Sequence, residues 1–176
     1  STLFPYTTLF RSAIMGTIIT AATILATYIS STANINSQYC YNADIENGQV
    51  KTMYVYDKDG QALSGKLEYR YTYDRLGRLT AKETLRRDAR TGRMTPESML
   101  TYTYSADGYT LERSLWNASA GTYDSADSRT EYRYETAGVI SVTSYELAAD
   151  GSVSSVKDNM LVMLPVSGEL MAGQIK

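Results

Sequence analysis

A seven-residue pattern, Tyr-x-Tyr-x-x-x-Gly, recurs four times in this chain and restricts what it can fold into. It reads Tyr54-Val55-Tyr56-Asp57-Lys58-Asp59-Gly60, then Tyr71-Thr72-Tyr73-Asp74-Arg75-Leu76-Gly77. Weaker copies run from Tyr102 to Gly108 and from Tyr132 to Gly138. The last three copies begin at 71, 102 and 132, a unit of about 31 residues. Tyr-x-Tyr has period two, so both rings project from one face of a strand. The Asp or Ser that follows can bond the turn backbone, and the Gly supplies the positive φ that ends a type I turn with a bulge. Each unit carries a second turn at Gly92, Gly121 or Asp150-Gly151, and an early Asn47-Gly48 hairpin precedes the first copy.

The strand pattern is clearest around the second copy. Leu67, Tyr69, Tyr71 and Tyr73 alternate with Lys66, Glu68, Arg70, Thr72 and Asp74. One face is therefore aromatic and the other wet, as in an antiparallel sheet solvated on one side. Past the turn, the same alternation groups Leu79, Ala81 and Leu85 against Arg78, Thr80, Lys82, Thr84 and Arg86. Tyrosine dominates the aromatics, with 16 Tyr against two Phe and one Trp. A buried Tyr needs a partner for its hydroxyl, which suits a shallow, half-wet interior. The expected role of the tyrosine face is packing, with a stacking platform for sugars as the competing role.

The second copy resembles the YD repeats of Rhs-type and teneurin-like proteins, at Tyr71, Tyr73, Asp74, Gly77, Arg78 and Leu79. Tyr54, Tyr56, Asp57 and Gly60 match in part. At the later copies Ser105 and Glu135 replace the Asp, and the Gly-Arg-Leu ending is lost. The resemblance covers residues 53–153 and implies antiparallel strands wound as a spiral shell in longer relatives, whereas this chain is too short for a shell. The whole also resembles the small exported proteins of unknown function of gut Bacteroidetes. The expected fold is all-β: an antiparallel meander of about ten strands built from YD-like hairpins, as a single twisted sheet or a partly closed barrel.

Two segments precede this domain. Residues 2–12 resemble the translation of a sequencing adapter, so residues 1–12 are set aside as an artefact. From Ala13 to Ala33 the chain is uncharged and apolar, ending in Ser31-Thr32-Ala33. Small residues at 31 and 33 suit cleavage after Ala33, so residues 13–33 read as a signal peptide. Four threonines between Thr17 and Thr27 argue against a membrane anchor. Residues 34–176 form a single expected domain with no membrane span, exported to the periplasm or cell surface.

Composition excludes several chemistries. Histidine is absent, which removes Ser-His-Asp and Cys-His catalysis. Cys40 is the only cysteine, so no intrachain disulfide and no thiolate zinc site can form. Its expected place is a partly buried position in the first strand. No phosphate-binding loop or dinucleotide motif is present. Asp57, Asp59 and Asp74 sit at turns, where capping is their ordinary use, and Asp57-Lys58-Asp59-Gly60 lacks the remaining spacing of a calcium loop. Ser64-Gly65-Lys66 has no mechanistic spacing. The 17 basic and 19 acidic residues give a net charge of −2, without the basic excess of a nucleic-acid binder.

The expected function is therefore that of a structural or interaction protein, not an enzyme, with no catalytic, cofactor or metal residues. A glycan- or peptide-binding module using an aromatic sheet face is the alternative, and a hydrolase ranks last. The partner is an unidentified protein or glycan. Contacts are expected where the copies differ: Arg86, Arg87, Arg90 and Arg93 at a basic tip, and Trp116 and Tyr123 in the polar loop from Trp116 to Ser128. That loop also holds Asn117-Ala118-Ser119, a formal sequon, and Asp124-Ser125-Ala126, which resembles a Bacteroidetes O-glycosylation site. Met160 to Val166 is apolar throughout and reads as a last buried strand stopped by Pro165, with a partner-binding strand as the second possibility.

Overall fold

The computed structural model describes residues 39–59, 62–136 and 138–163. The adapter-like segment, the leader, Gly60 and Leu164 to Val166 lie outside them. The described chain is all-β, with ten strands: β1 (Tyr39–Glu46), β2 (Gln49–Asp59), β3 (Ala62–Tyr73), β4 (Leu79–Arg87), β5 (Met94–Tyr104), β6 (Gly108–Asn117), β7 (Thr122–Tyr123), β8 (Ser128–Thr136), β9 (Val139–Leu147) and β10 (Val153–Met163). Their order in the sheet is β1-β2-β3-β4-β5-β6-β8-β9-β10, with the two-residue β7 paired to β6. This is an open meander that begins at β1 and ends at β10, so the barrel alternative is set aside. Two compact units divide it, residues 39–102 with 113–125, and residues 103–112 with 126–163.

Turn chemistry places the strands. Asn47-Gly48 connects β1 to β2 as a two-residue hairpin. At the second Tyr-x-Tyr copy the Asp74 amide donates to the Arg78 carbonyl (2.9 Å), and the Gly77 amide donates to the Asp74 carbonyl (3.0 Å). Asp74 Oδ1 accepts from the amides of Leu76 (2.8 Å) and Arg78 (2.9 Å). Its Oδ2 takes the Arg78 Nε–H at 2.7 Å. Gly77 has φ of 75°, which a side chain would strain. These donors hold the Asp74 carboxyl below its usual pKa, the Arg78 amide first among them.

Register corrects the alternation read from sequence. Tyr71 faces Lys82 and Thr72 faces Ala81, but Tyr73 faces Leu79. Thr80 is the extra residue of a β-bulge, so parity flips there. Leu79 therefore joins the tyrosine face and is 1% exposed, with Val50, Met53 and Tyr71 as its buried neighbours. Tyr41, Ala43, Tyr69, Tyr73 and Tyr102 pack around that cluster. Ala81 and Leu85 fall on the other face, opposite Thr72 and Glu68. Leu85 is buried there. Lys82 instead enters the aromatic face, with Nζ 3.9 Å from the centre of the Tyr69 ring. Desolvation pulls that amine's pKa down.

Tyrosine hydroxyls find partners, as a half-wet interior requires. Tyr73 donates to the Val50 carbonyl at 2.8 Å, and burial pushes its pKa up to about 12. In the second unit Tyr109 stacks on Tyr132 with ring centres 4.5 Å apart, and Tyr104 lies 6.0 Å from Tyr109. No tyrosine among the described residues is exposed. Cys40 is a free, half-buried thiol in β1.

The final strand is the main correction. β10 is exposed at every position except Val162, against the buried strand read from its composition. Val156 is 60%, Leu161 67% and Met163 82% exposed. An apolar run is ambiguous between a core strand and an uncovered one, because sequence does not show whether another layer packs over it.

Candidate functional site

The six expected contact residues fall into three places. Arg86 and Arg87 end β4 and line a surface depression of about 310 Å³ with Asp57, Ser64, Gly65, Lys66 and Ala89. Arg86 is fixed by Glu97, with Nε 2.6 Å from Oε1 and Nη2 3.1 Å from Oε2. Lys66 Nζ donates to the Tyr39 hydroxyl at 3.2 Å and stands 3.5 Å from Asp57 Oδ2. The hydroxyl first, then the carboxylate, raise the amine's pKa and keep it charged. Asp57 is thus engaged by a cation of the protein, which is its use in place of a calcium loop. Arg87 has no ion pair among the described residues, and its guanidinium lies against Gly65 and Gly92.

Arg90 and Arg93 do not line that depression. They belong to the exposed turn between β4 and β5, which Asp88 closes. Its Oδ1 accepts from the amides of Arg90 (3.0 Å) and Thr91 (2.6 Å) and from the Thr91 hydroxyl (2.9 Å). The Thr91 amide is the main reason the Asp88 pKa falls. The sequence signal for the tip was its run of arginines. Lys66 and Glu97 were missed as site members because pairing across β2–β3 and β4–β5 brings them in, and neither spacing is visible along the chain.

Trp116 and Tyr123 form the third place. They are paired across β6 and β7, half-buried, with ring centres 5.0 Å apart and edge to face. Tyr123 donates its hydroxyl to Glu83 Oε1 at 2.7 Å. Glu83 lies opposite Arg70, whose Nη1 is 3.8 Å away and whose Nε contacts Glu68 at 2.7 Å. Burial first, then Glu83, raise the Tyr123 pKa well above its ordinary value. The pair is thus anchored onto the polar face of β3 and β4. The Asn117 side-chain oxygen accepts from the amides of Ser119 and Ala120, each at 3.1 Å, which shapes the loop between the two rings.

Two further depressions lie in the second unit. One of about 450 Å³ is lined by Glu131, Arg133, Ser141, Thr143, Asn159 and Leu161, among others. The other, of about 240 Å³, includes Asp107, Tyr109 and Tyr132. Among the described residues no group of three His, Cys, Asp or Glu side chains is placed to hold a metal ion. No helix among them is long and apolar enough to cross a membrane.

A hairpin-repeat all-β chain with polar surface depressions is the class these features define. Residues 7–134 match the model of a family of unknown function, DUF3836, and the chain belongs to that family. It is similar to a crystallised protein of unknown function from Bacteroides fragilis NCTC 9343, at 18% identity and a TM-score of 0.62. That match covers 76% of this chain and 96% of the other, and shows a shared fold. A DUF3836 protein from Bacteroides vulgatus ATCC 8482 matches at 25% identity and a TM-score of 0.48, over 49% of this chain and 89% of that one. No curated protein matches the chain.

Proposed function

We propose that this chain is an exported protein of the bacterial periplasm or cell surface that binds a protein partner and catalyses nothing. The observation that carries the reading is β10. It has one hydrogen-bonded neighbour among the described residues, β9, and its apolar side chains lie open. Over Asp158–Met163 its ladder to β9 runs without a register shift. A regular edge of this kind accepts an extended segment, with backbone hydrogen bonds supplying affinity and exposed apolar side chains supplying specificity. The apolar stretch ending at Ser31-Thr32-Ala33 supports export. The Asp74 turn, closed by its own carboxylate and by Gly77, supports reading the four copies as YD-type hairpins.

Two measurements on the full chain, produced in a Bacteroides host, test this. Fractionation is expected to place it outside the cytoplasm, with a mature mass beginning at Asn34; a cytoplasmic chain retaining residues 13–33 overturns export. A photocrosslinking residue at position 161 is expected to give a discrete protein adduct, while the same residue at Leu76, exposed in a turn, gives none. Equal labelling at the two positions, or none at 161, overturns the edge-binding reading.

A further inference from the structure

We propose that the depression between β3 and β4 binds a tetrahedral oxyanion, a sulfate ester or phosphate monoester, with Arg87 as its principal contact. Donor accounting leads there. The Glu97 carboxylate occupies Nε and Nη2 of Arg86, which leaves Nη1 unspent. The Lys66 ammonium has three N–H donors, of which the Tyr39 hydroxyl takes one, while Asp57 stands 3.5 Å away as its ion-pair partner. Arg87 keeps its whole fork, because no carboxylate among the described residues pairs with it. Asp88, next in sequence, turns its Oδ1 to the backbone of its own turn. Asp57 and Glu97 offset two of the three cations, so one positive charge remains uncompensated.

The walls fit the same reading. A Cβ at Gly65 would sit 3.5 Å from Arg87 Nη1, and one at Gly92 would sit 3.6 Å from Nη2. The guanidinium is thus flanked by two residues without side chains, and its edge stays accessible to a bidentate oxyanion. Ser64, exposed on the rim, adds a hydroxyl donor. Arg90 and Arg93 also lack ion pairs among the described residues and raise the local potential around the depression. Lys66 is held at two points and Arg86 by a two-bond fork, so binding orders few additional side chains.

The test is a binding titration of the full chain in low salt with dextran sulfate, inorganic phosphate, neutral dextran and a single-stranded oligonucleotide. Dextran sulfate or phosphate is expected to bind and neutral dextran is not; the preferred anion tells a sulfate site from a phosphate site. Arg87→Ala is expected to weaken binding about tenfold and Arg87→Lys by less, because charge survives while the fork is lost. Arg75→Ala, at an exposed turn of the same charge type, is expected to change it less than about twofold. Circular dichroism checks that each variant is folded. Equal losses at Arg75 and Arg87, an oligonucleotide bound as tightly as dextran sulfate or phosphate, or no anion bound, overturns the proposal.

Discussion

The two units are made from the same repeat, yet they bury it differently. In residues 39–102 with 113–125, six apolar side chains are buried among the described residues: Val50, Met53, Val55, Tyr71, Leu79 and Leu85. In residues 103–112 with 126–163, Ile140 is the buried one among the described residues, and stacked tyrosines take the place of an aliphatic centre. The difference follows from the copies. The Tyr71 copy keeps Gly-Arg-Leu and so delivers Leu79 into the core, whereas the Tyr102 and Tyr132 copies end in Gly-Tyr and Gly-Val. Losing one leucine per turn removes the residue that seals the face. The first unit behaves as a core that happens to be a sheet, and the second as a sheet that offers surface.

This contrast can be broken by substitution. Leu79→Ala is expected to cost most, about 4 kcal/mol in urea unfolding, since Leu79 is almost fully buried among Val50, Met53 and Tyr71. Ile140→Ala should cost clearly less, about 2 kcal/mol; equal values would erase the distinction. Gly108→Ala probes the other unit's tightest point. A Cβ there would overlap the Tyr132 carbonyl oxygen, with backbone rather than a flexible side chain in the way. Strand β6 or β8 must shift, and a loss of about 3 kcal/mol is expected.

Smaller effects sharpen the picture. Tyr73→Phe removes one hydroxyl bond and leaves the Val50 carbonyl without it, for about 1 kcal/mol at neutral pH. The same variant tests the alkaline limb. Tyr73 has a folded pKa of about 12, above its ordinary value of 10.0, so folding disfavours its ionisation. Stability should fall as pH rises from 10 towards 12, and Tyr73→Phe should flatten that fall. Asp74 gives the opposite sign. Its pKa is depressed by the turn amides and Arg78, so its contribution is present above the unfolded carboxyl value and lost as pH drops through the folded one. In Asp74→Asn, the acid limb of stability below about pH 4 should become shallower. Last, Leu161→Lys on the exposed edge is expected to stay within about 0.5 kcal/mol of wild type. A larger loss would mean that β10 is covered after all.

Much of the fold was legible because turns carry most of the information in such a chain. Asn47-Gly48, Asp74 to Gly77, and the second turns at Gly92, Gly121 and Gly151 marked the strand ends, and every one of them is a connection in the sheet. What alternation could not deliver was parity across the Thr80 bulge, since an inserted residue leaves composition unchanged while parting Leu79 from Ala81 and Leu85 and bringing Lys82 onto its face. Site residues divide in the same way. Arg86 and Arg87 were visible as a charge run, but Lys66 and Glu97 arrive through cross-strand pairing. The exposure of β10 was invisible for a different reason: burial depends on what lies over a strand, and its own residues do not record that.

Except for the short β7, every strand pairs with the strand that follows it in sequence. No pairing must wait for a distant segment, so closure entropy is met one hairpin at a time and contact order stays low. A chain built this way can assemble as it emerges. Each hairpin closes when its second strand appears, whether the chain leaves a ribosome or a membrane channel end first. The edge exposed at each moment is the one the next strand will cover, until β10 arrives and the described chain leaves it uncovered.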